Sequence, residues 1–241
     1  MSELSDTIGD LVIANRILAH EGVLDAYGHV SVRHPTDATR FLLARSRSPE
    51  LVDREDIMEF FHDGRPTTDD PRPPYLERFI HGSIYQARQD INAVVHSHSE
   101  SVLPYSISTV PLRPVFHAAS PMGTQVPVWD IRDKFGATNL LVANVDHGQD
   151  LAERLAAANV VLMRGHGFSA AARTLVEVAR LAIYLPVNAR VMSEAIRLGG
   201  DIKALSDDEV ALNAALDPRS PAIQRGWEYW ARRAGCGQML R

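Results

Sequence analysis

The sequence predicts an α/β fold, built as one domain over residues 1–241. Short apolar or alternating runs interleave with stretches of helical period along the whole chain. Apolar residues make up 45% of the 241 positions, enough for a sizeable packed core. No internal repeat or low-complexity linker divides the chain.

The elements follow in order. Leu4, Ile8, Leu11, Val12, Asn15 and Leu18 recur at helical spacing, so 3–21 reads as a helix ended by Gly22. GHVSVRHP (28–35) alternates like a strand, and RFLLAR (40–45) reads as its partner. DIMEFFHDGRPT (56–67) is a strand running into an Asp-Gly turn. PYLERFIHGSIYQAR (74–88) reads as a helix opened by proline, with Leu76, Phe79, Ile80, Ile84 and Ala87 as its apolar stripe. INAVVHSH (91–98) is a strand. Residues 104–146 carry several prolines and read as short strands and loops. QDLAERLAAAN (149–159) is a helix, and VVLMRGHG (160–167) a buried strand. A long helix covers 172–198, with Pro186 as a kink and Gly199-Gly200 as its end. Residues 205–241 form a helical tail containing the aromatic IQRGWEYWARR.

Composition excludes several functions. The formal charge of −5 and the lack of a Lys/Arg run argue against nucleic acid as a partner. No apolar stretch approaches the roughly 20 residues of a membrane span, and the N-terminus has no signal-peptide pattern. A single cysteine, Cys236, fits a reducing compartment, so a cytoplasmic location is expected.

Histidine placement is the chemical signal. On a strand, alternate residues face the same way about 6.6 Å apart, so His96 and His98 can turn their rings toward one point. That pattern fits two metal ligands or a hydrogen-bonded pair in a polar pocket, and spacing alone leaves both open. His166 sits between glycines at the end of an apolar strand, where backbone can approach a ligand closely or simply turn. Glu77 opens the helix leading into the His96 strand, so its carboxylate could reach that strand's end or merely favour a helix N-terminus. Together, three imidazoles and a carboxylate would hold a divalent cation with an exchangeable position.

These motifs resemble the class II aldolase/adducin family. The matching stretches are GHVSVR (28–33), Glu77 followed by QARQDINAVVHSHS (86–99), and VVLMRGHG (160–167). The resemblance spans roughly residues 8–200. It implies a three-layer α/β/α domain with a central, mostly antiparallel sheet, and a homotetramer with active sites at subunit interfaces. It implies that His96, His98, His166 and Glu77 bind a divalent metal, whether Zn, Mn, Co or Fe, and that Glu77 also serves in catalysis.

The departures from the family's sugar-phosphate aldolases carry information. His29 stands where they have Asn, RSRSPE (45–50) where they have a Thr/Ser-Gly stretch, and PYL (74–76) where they have Ser-Ser before the glutamate. Proline has no backbone N–H and tyrosine is larger than serine, so the phosphate cradle is dismantled. Arg45 and Arg47 stand in its place, suited to pairing with carboxylate, or simply to facing solvent. This set, with DAYGHVSVRHP, LRPVFHAAS and VWDIRD, resembles the family's decarboxylases of hydroxylated aromatic dicarboxylates. The resemblance implies a small aromatic carboxylate substrate whose phenolic oxygen, held at the metal, is the electron sink. His29 and His117 join Glu77 as candidates for proton transfer. Ser46, Arg47, Arg164 and Tyr184 are candidate substrate contacts; Tyr184 could equally pack. His34, His62, His81 and His147 read as structural or solvent-facing; of these His81 has some claim to a role, four residues after Glu77 on the same helical face. The alternatives are an aldolase, epimerase or dehydratase on a sugar phosphate or hydroxyketone, and an adducin-like scaffold, against which the filled ligand positions count.

Overall fold

The computed structural model describes residues 2–214 and 217–240. Its core is a seven-stranded sheet in the order β3-β2-β1-β4-β7-β6-β5. The strands are β1 (His29–Arg33), β2 (Arg40–Ala44), β3 (Ile57–Phe61), β4 (Ala93–Ser97), β5 (Val128–Trp129), β6 (Val160–Met163) and β7 (Gly167–Ala172). Every pairing is antiparallel except β5 with β6. The helices are α1 (Glu3–His20), α2 (Arg78–Ala87), α3 (Leu103–Ser106), α4 (Arg132–Phe135), α5 (Val145–Leu155), α6 (Leu175–Leu198), α7 (Asp207–Ala214) and α8 (Pro221–Arg233).

Helices cover both faces, which explains why the central strands are buried throughout rather than on alternate residues. Alternate side chains still part company. Val30, Val32, Val95, Leu162 and Phe168 pack with α1, α6 and α8 in one core. Phe41, Leu43, Val94 and Val161 pack with α2 and α5 in the other. The expected three-layer α/β/α arrangement with a mostly antiparallel sheet is therefore what the chain forms. His29 and His96 are direct partners across β1 and β4, so the same side of the sheet presents both.

Several boundaries differ from expectation. Helix α2 starts at Arg78, not Pro74, because Pro74 bridges Arg45 and the Tyr75 hydroxyl donates to the Arg47 carbonyl. Leu76, expected in the apolar stripe, consequently projects outward and is 51% exposed. Helix α5 begins at Val145, four residues before the expected start, because the Asn144 side chain caps it by accepting from the His147 N–H. Strand β7 extends through Ala172, so α6 begins at Leu175 under a Thr174 cap and runs on through Pro186. Within 104–146 short helices outnumber strands. Among the described residues no helix is long and apolar enough to cross a membrane.

Candidate metal centre

Strand β4 ends as a chain of side chains aimed at one point. His96 is its penultimate residue and His98 follows one residue beyond it. The start of β7 presses against that end. A side chain at Gly167 would collide with the Ser97 carbonyl, and its Cβ would stand 3.0 Å from His98 Cα. Only glycine permits this approach, and it delivers the preceding His166 to the other two rings, with centroids 4.9 Å from His96 and 5.1 Å from His98. Glu77 arrives from the opposite direction, at the N-terminus of α2.

One ligand atom from each of Glu77, His96, His98 and His166 lies within 4.8 Å of all the others. His96 Nε2 is 3.1 Å from His98 Nε2, and Glu77 Oε2 is 3.6 Å from both His96 Nε2 and His166 Nε2. Four ligands at zinc-like bond lengths, about 2.0–2.1 Å, would be spaced about 3.3 Å apart in a tetrahedron, so these separations suit a small cation.

Proton placement supports the same fit. His96 Nδ1 is 3.1 Å from the Phe168 carbonyl, and His166 Nδ1 is 3.0 Å from the Leu140 carbonyl. His98 Nδ1 is 3.1 Å from the Asp25 carboxylate. Each of these partners only accepts, so each Nδ1 carries the proton and each Nε2 is a bare lone pair. Three lone pairs and a carboxylate oxygen thus face one another with no hydrogen among them. Such a set could hold a cation. The donors, nitrogen and oxygen without thiolate, suit several divalent first-row ions.

The supporting residues are ordered too. Asp25 is anchored by the Tyr27 and Gly28 N–H groups at 2.9 and 2.8 Å. Burial raises its pKa, but these bonds and His98 outweigh burial and hold it below the usual carboxylate range. Glu77 Oε1 accepts from the Val142 N–H at 2.9 Å. Burial also pushes Glu77 up, but its contacts with His166 and His96 and the Val142 N–H outweigh burial and hold it at about 2. Leu140, which holds His166, has φ of 68°, a region costly for a branched side chain. One loop therefore clamps two of the four ligands. Burial drives the His96 pKa well below its ordinary value, keeping that ring neutral.

A cleft of about 360 Å³ opens beside the cluster, lined by His29, Ser46, Arg47, Tyr75, Glu77 and His98 among others. Of the expected substrate contacts, Ser46 and Arg47 reach this cleft. Arg47 also pairs with Asp56, which Arg45 shares. Arg164 does not line the cleft; it turns to Asp130 at 2.7 Å. Tyr184 packs between Phe116 and Trp230. His117 is exposed, edge-on to Phe116. His29 is buried against Tyr75 and His96 with ring centroids at 4.7 and 5.1 Å. Sequence reasoning passed over Asp25, Tyr75 and the Leu140–Val142 loop. The Asp-x-Tyr-Gly turn could have flagged Asp25; nothing flags the loop.

The Class II Aldolase and Adducin N-terminal domain matches residues 9–193. The chain belongs to that family. It is 37% identical to Decarboxylase tropJ of Talaromyces stipitatus, over 92% of this chain and 91% of that one. It is 29% identical to a 3,4-dihydroxyphthalate decarboxylase of Arthrobacter keyseri, over 83% of each. These relatives place it in the decarboxylase branch of the class II aldolase family. The fold matches an aldolase II superfamily protein from Pseudomonas syringae at a TM-score of 0.80 and 19% identity, covering 99% of this chain and 96% of that one. It matches L-fuculose 1-phosphate aldolase from Glaciozyma antarctica at 0.76 and 20%, covering 97% and 90%. This class II aldolase-family chain therefore carries a His/Glu cluster that could bind a metal.

Proposed function

We propose that the protein is a divalent-metal-dependent decarboxylase of a hydroxylated aromatic carboxylate. The observation that carries the reading is the convergence of Glu77, His96, His98 and His166 beside a cleft lined by Arg47. Similarity over most of the chain to tropJ and to 3,4-dihydroxyphthalate decarboxylase supports it.

A divalent ion, when bound, supplies a Lewis acid that stabilises negative charge developing on a substrate oxygen. The chain's own groups do the rest. His96, His98 and His166 hold their lone pairs inward because their Nδ1 protons are engaged. Arg47, at the mouth of the cleft, suits a carboxylate, as guanidinium pairs with it in two bonds. Loss of carbon dioxide breaks a carbon–carbon bond, and a proton takes the carboxylate's place on the ring carbon. With that carbon tetrahedral, the electron pair of the breaking bond passes into the ring π system and onto the neighbouring oxygen. Glu77 and His29 line the cleft and are the candidates within one chain. His117, Arg164 and Tyr184 would contribute only from a neighbouring subunit or after a rearrangement.

We also propose a homotetramer with sites at subunit boundaries. Tyr27 and Leu76 line the cleft while 74% and 51% exposed, as a rim awaiting a partner would be. Light scattering on the purified protein tests this, and a monomer that turns over would end it.

The deciding experiment is a panel of hydroxylated aromatic mono- and dicarboxylates. Carbon dioxide release and ultraviolet absorbance are followed with added zinc, manganese, cobalt or iron, beside a retro-aldol assay on sugar phosphates. Metal-dependent carbon dioxide release is expected. Aldehyde formation from a sugar phosphate without any carbon dioxide release would replace this reading with the aldolase one.

A further inference from the structure

We infer that a buried hydrogen-bond chain, Tyr85–Ser31–His81–His29, fixes His29 as an imidazole that presents an Nε2–H to the cleft. His81, Ser31 and Tyr85 then act as positioning residues. This deepens the reading of the cleft as the reaction site and rests on it.

The chain is built by two periodicities meeting. His29 and Ser31 are two residues apart on β1 and share a face. His81 and Tyr85 are four apart on α2 and share another. The two faces are packed together. The Tyr85 hydroxyl is 2.8 Å from Ser31 Oγ, Ser31 Oγ is 2.6 Å from His81 Nδ1, and His81 Nε2 is 2.6 Å from His29 Nδ1. All four residues are buried.

For neutral rings His29 Nδ1 either accepts from His81 or donates to it. In the first direction, Tyr85 donates to Ser31, Ser31 donates to His81 Nδ1, and the His81 Nε2–H donates to His29 Nδ1. His29 then carries its own proton on Nε2. In the reversed direction the His81 Nδ1–H donates to Ser31 Oγ, and either Ser31 donates to Tyr85, whose phenolic hydrogen needs another acceptor, or Tyr85 also donates to Ser31, whose own hydrogen needs one. Ser31 Oγ is the acceptor within reach. The reversed chain therefore strands a donor on a fully buried residue, which the first direction avoids. His29 Nδ1 is spent on His81, so Nε2 is the nitrogen left for the cleft that His29 lines.

The arrangement orients rather than conducts. Passing a proton along the chain would leave Tyr85 as a phenolate, and burial pushes that phenol well above its ordinary range. A neutral Nε2–H is a hydrogen-bond donor suited to an anionic oxygen, a substrate carboxylate or phenolate. It is not a ready proton source for carbon, so of the two groups lining the cleft His29 binds and polarises, and Glu77 is left as the candidate for the ring carbon's proton.

The test reads the proton directly. The zinc-loaded protein is prepared with nitrogen-15 in its histidine rings, and His29 is assigned by the signals lost in His29→Asn. The expected spectrum shows His29 with a protonated Nε2 and a bare Nδ1. Tyr85→Phe and Ser31→Ala each remove one arrow, so each is expected to convert that single pattern to a mixture of tautomers while zinc content stays unchanged. With an aromatic acid that turns over, kcat is expected to fall about tenfold or more in either variant, with KM shifted less. A bare Nε2 in the wild-type protein overturns the inference, as does an unchanged pattern in both variants. Because the spectrum needs no substrate, a protein inactive on every aromatic acid would sink the proposed function and leave this test standing.

Discussion

Two groups of histidines share one side of the sheet and are prepared for opposite tasks. His96, His98 and His166 have their Nδ1 atoms nearest to acceptors, two carbonyls and the Asp25 carboxylate. Their inward nitrogens are lone pairs. His29 has its Nδ1 against His81, which is backed by two hydroxyls. Its remaining nitrogen is a donor. The rings of His29 and His96 are only 5.1 Å apart. The difference teaches that an imidazole's role is set by what holds its far nitrogen, not by its position in the fold. The metal-side group is held mostly by backbone and loop; the His29 group is held by side chains on one strand and one helix.

The largest effect expected breaks the metal side outright. Exhaustive chelation, or His166→Ala, should abolish decarboxylation by about a thousandfold or more, since a Lewis acid contributes several kcal/mol. Readdition of the divalent ion should restore the chelated protein and not the variant; full turnover without metal would end the comparison. Next is the support of one ligand. Asp25→Asn removes an acceptor-only partner from His98, and its amide can flip to donate. Metal affinity should fall roughly 10–100-fold, read by competition with a coloured chelator.

The His29 side is sharpened by pH. Burial lowers the pKa of His81 to about 3 from an ordinary 6.5. Between those values the unfolded chain binds the proton and the folded one does not. His81 therefore contributes stability that is fully present above about 6.5 and is lost as pH falls toward 3. The loss is at most about 1.4 kcal/mol per pH unit. Denaturant unfolding should show His81→Gln with a flatter stability profile than wild type from pH 6.5 to 4; parallel profiles would contradict it. The smallest effect expected is at Ser169. Its hydroxyl is 3.5 Å from His96 Nδ1, while the Phe168 carbonyl is at 3.1 Å. The carbonyl is the working partner, so Ser169→Ala should change metal affinity less than about twofold in the same competition.

The parts of the site carried by periodicity were legible. His96 and His98 alternate on a strand, His166 lies between glycines, and Glu77 precedes a helix, so each could be singled out before any fold was known. The Pro74 helix start was misplaced because a bridge to Arg45 and the Tyr75 hydroxyl bond hold that segment extended. The Asn144 cap was missed because a single polar residue among prolines and loops carries little periodic signal. Ser31 was not singled out, and His81 was set among the structural histidines, because a lone polar residue on an apolar helix or strand says nothing of its partner across the sheet. Tyr184, a candidate contact, packs in the opposite core with Trp230.

By itself the sequence determined the alternation of strands and helices and which side chains could bind a cation. These follow from local spacing of apolar and chemically distinctive residues, and local spacing is fixed by the chain. Only the tertiary structure decided that β7 presses on β4 at Gly167, that the Leu140–Val142 loop clamps His166 and Glu77, and which nitrogen of each histidine keeps its proton. Those depend on contacts between segments far apart in the chain, where a carbonyl or a hydroxyl 3 Å away reverses what the same ring can do.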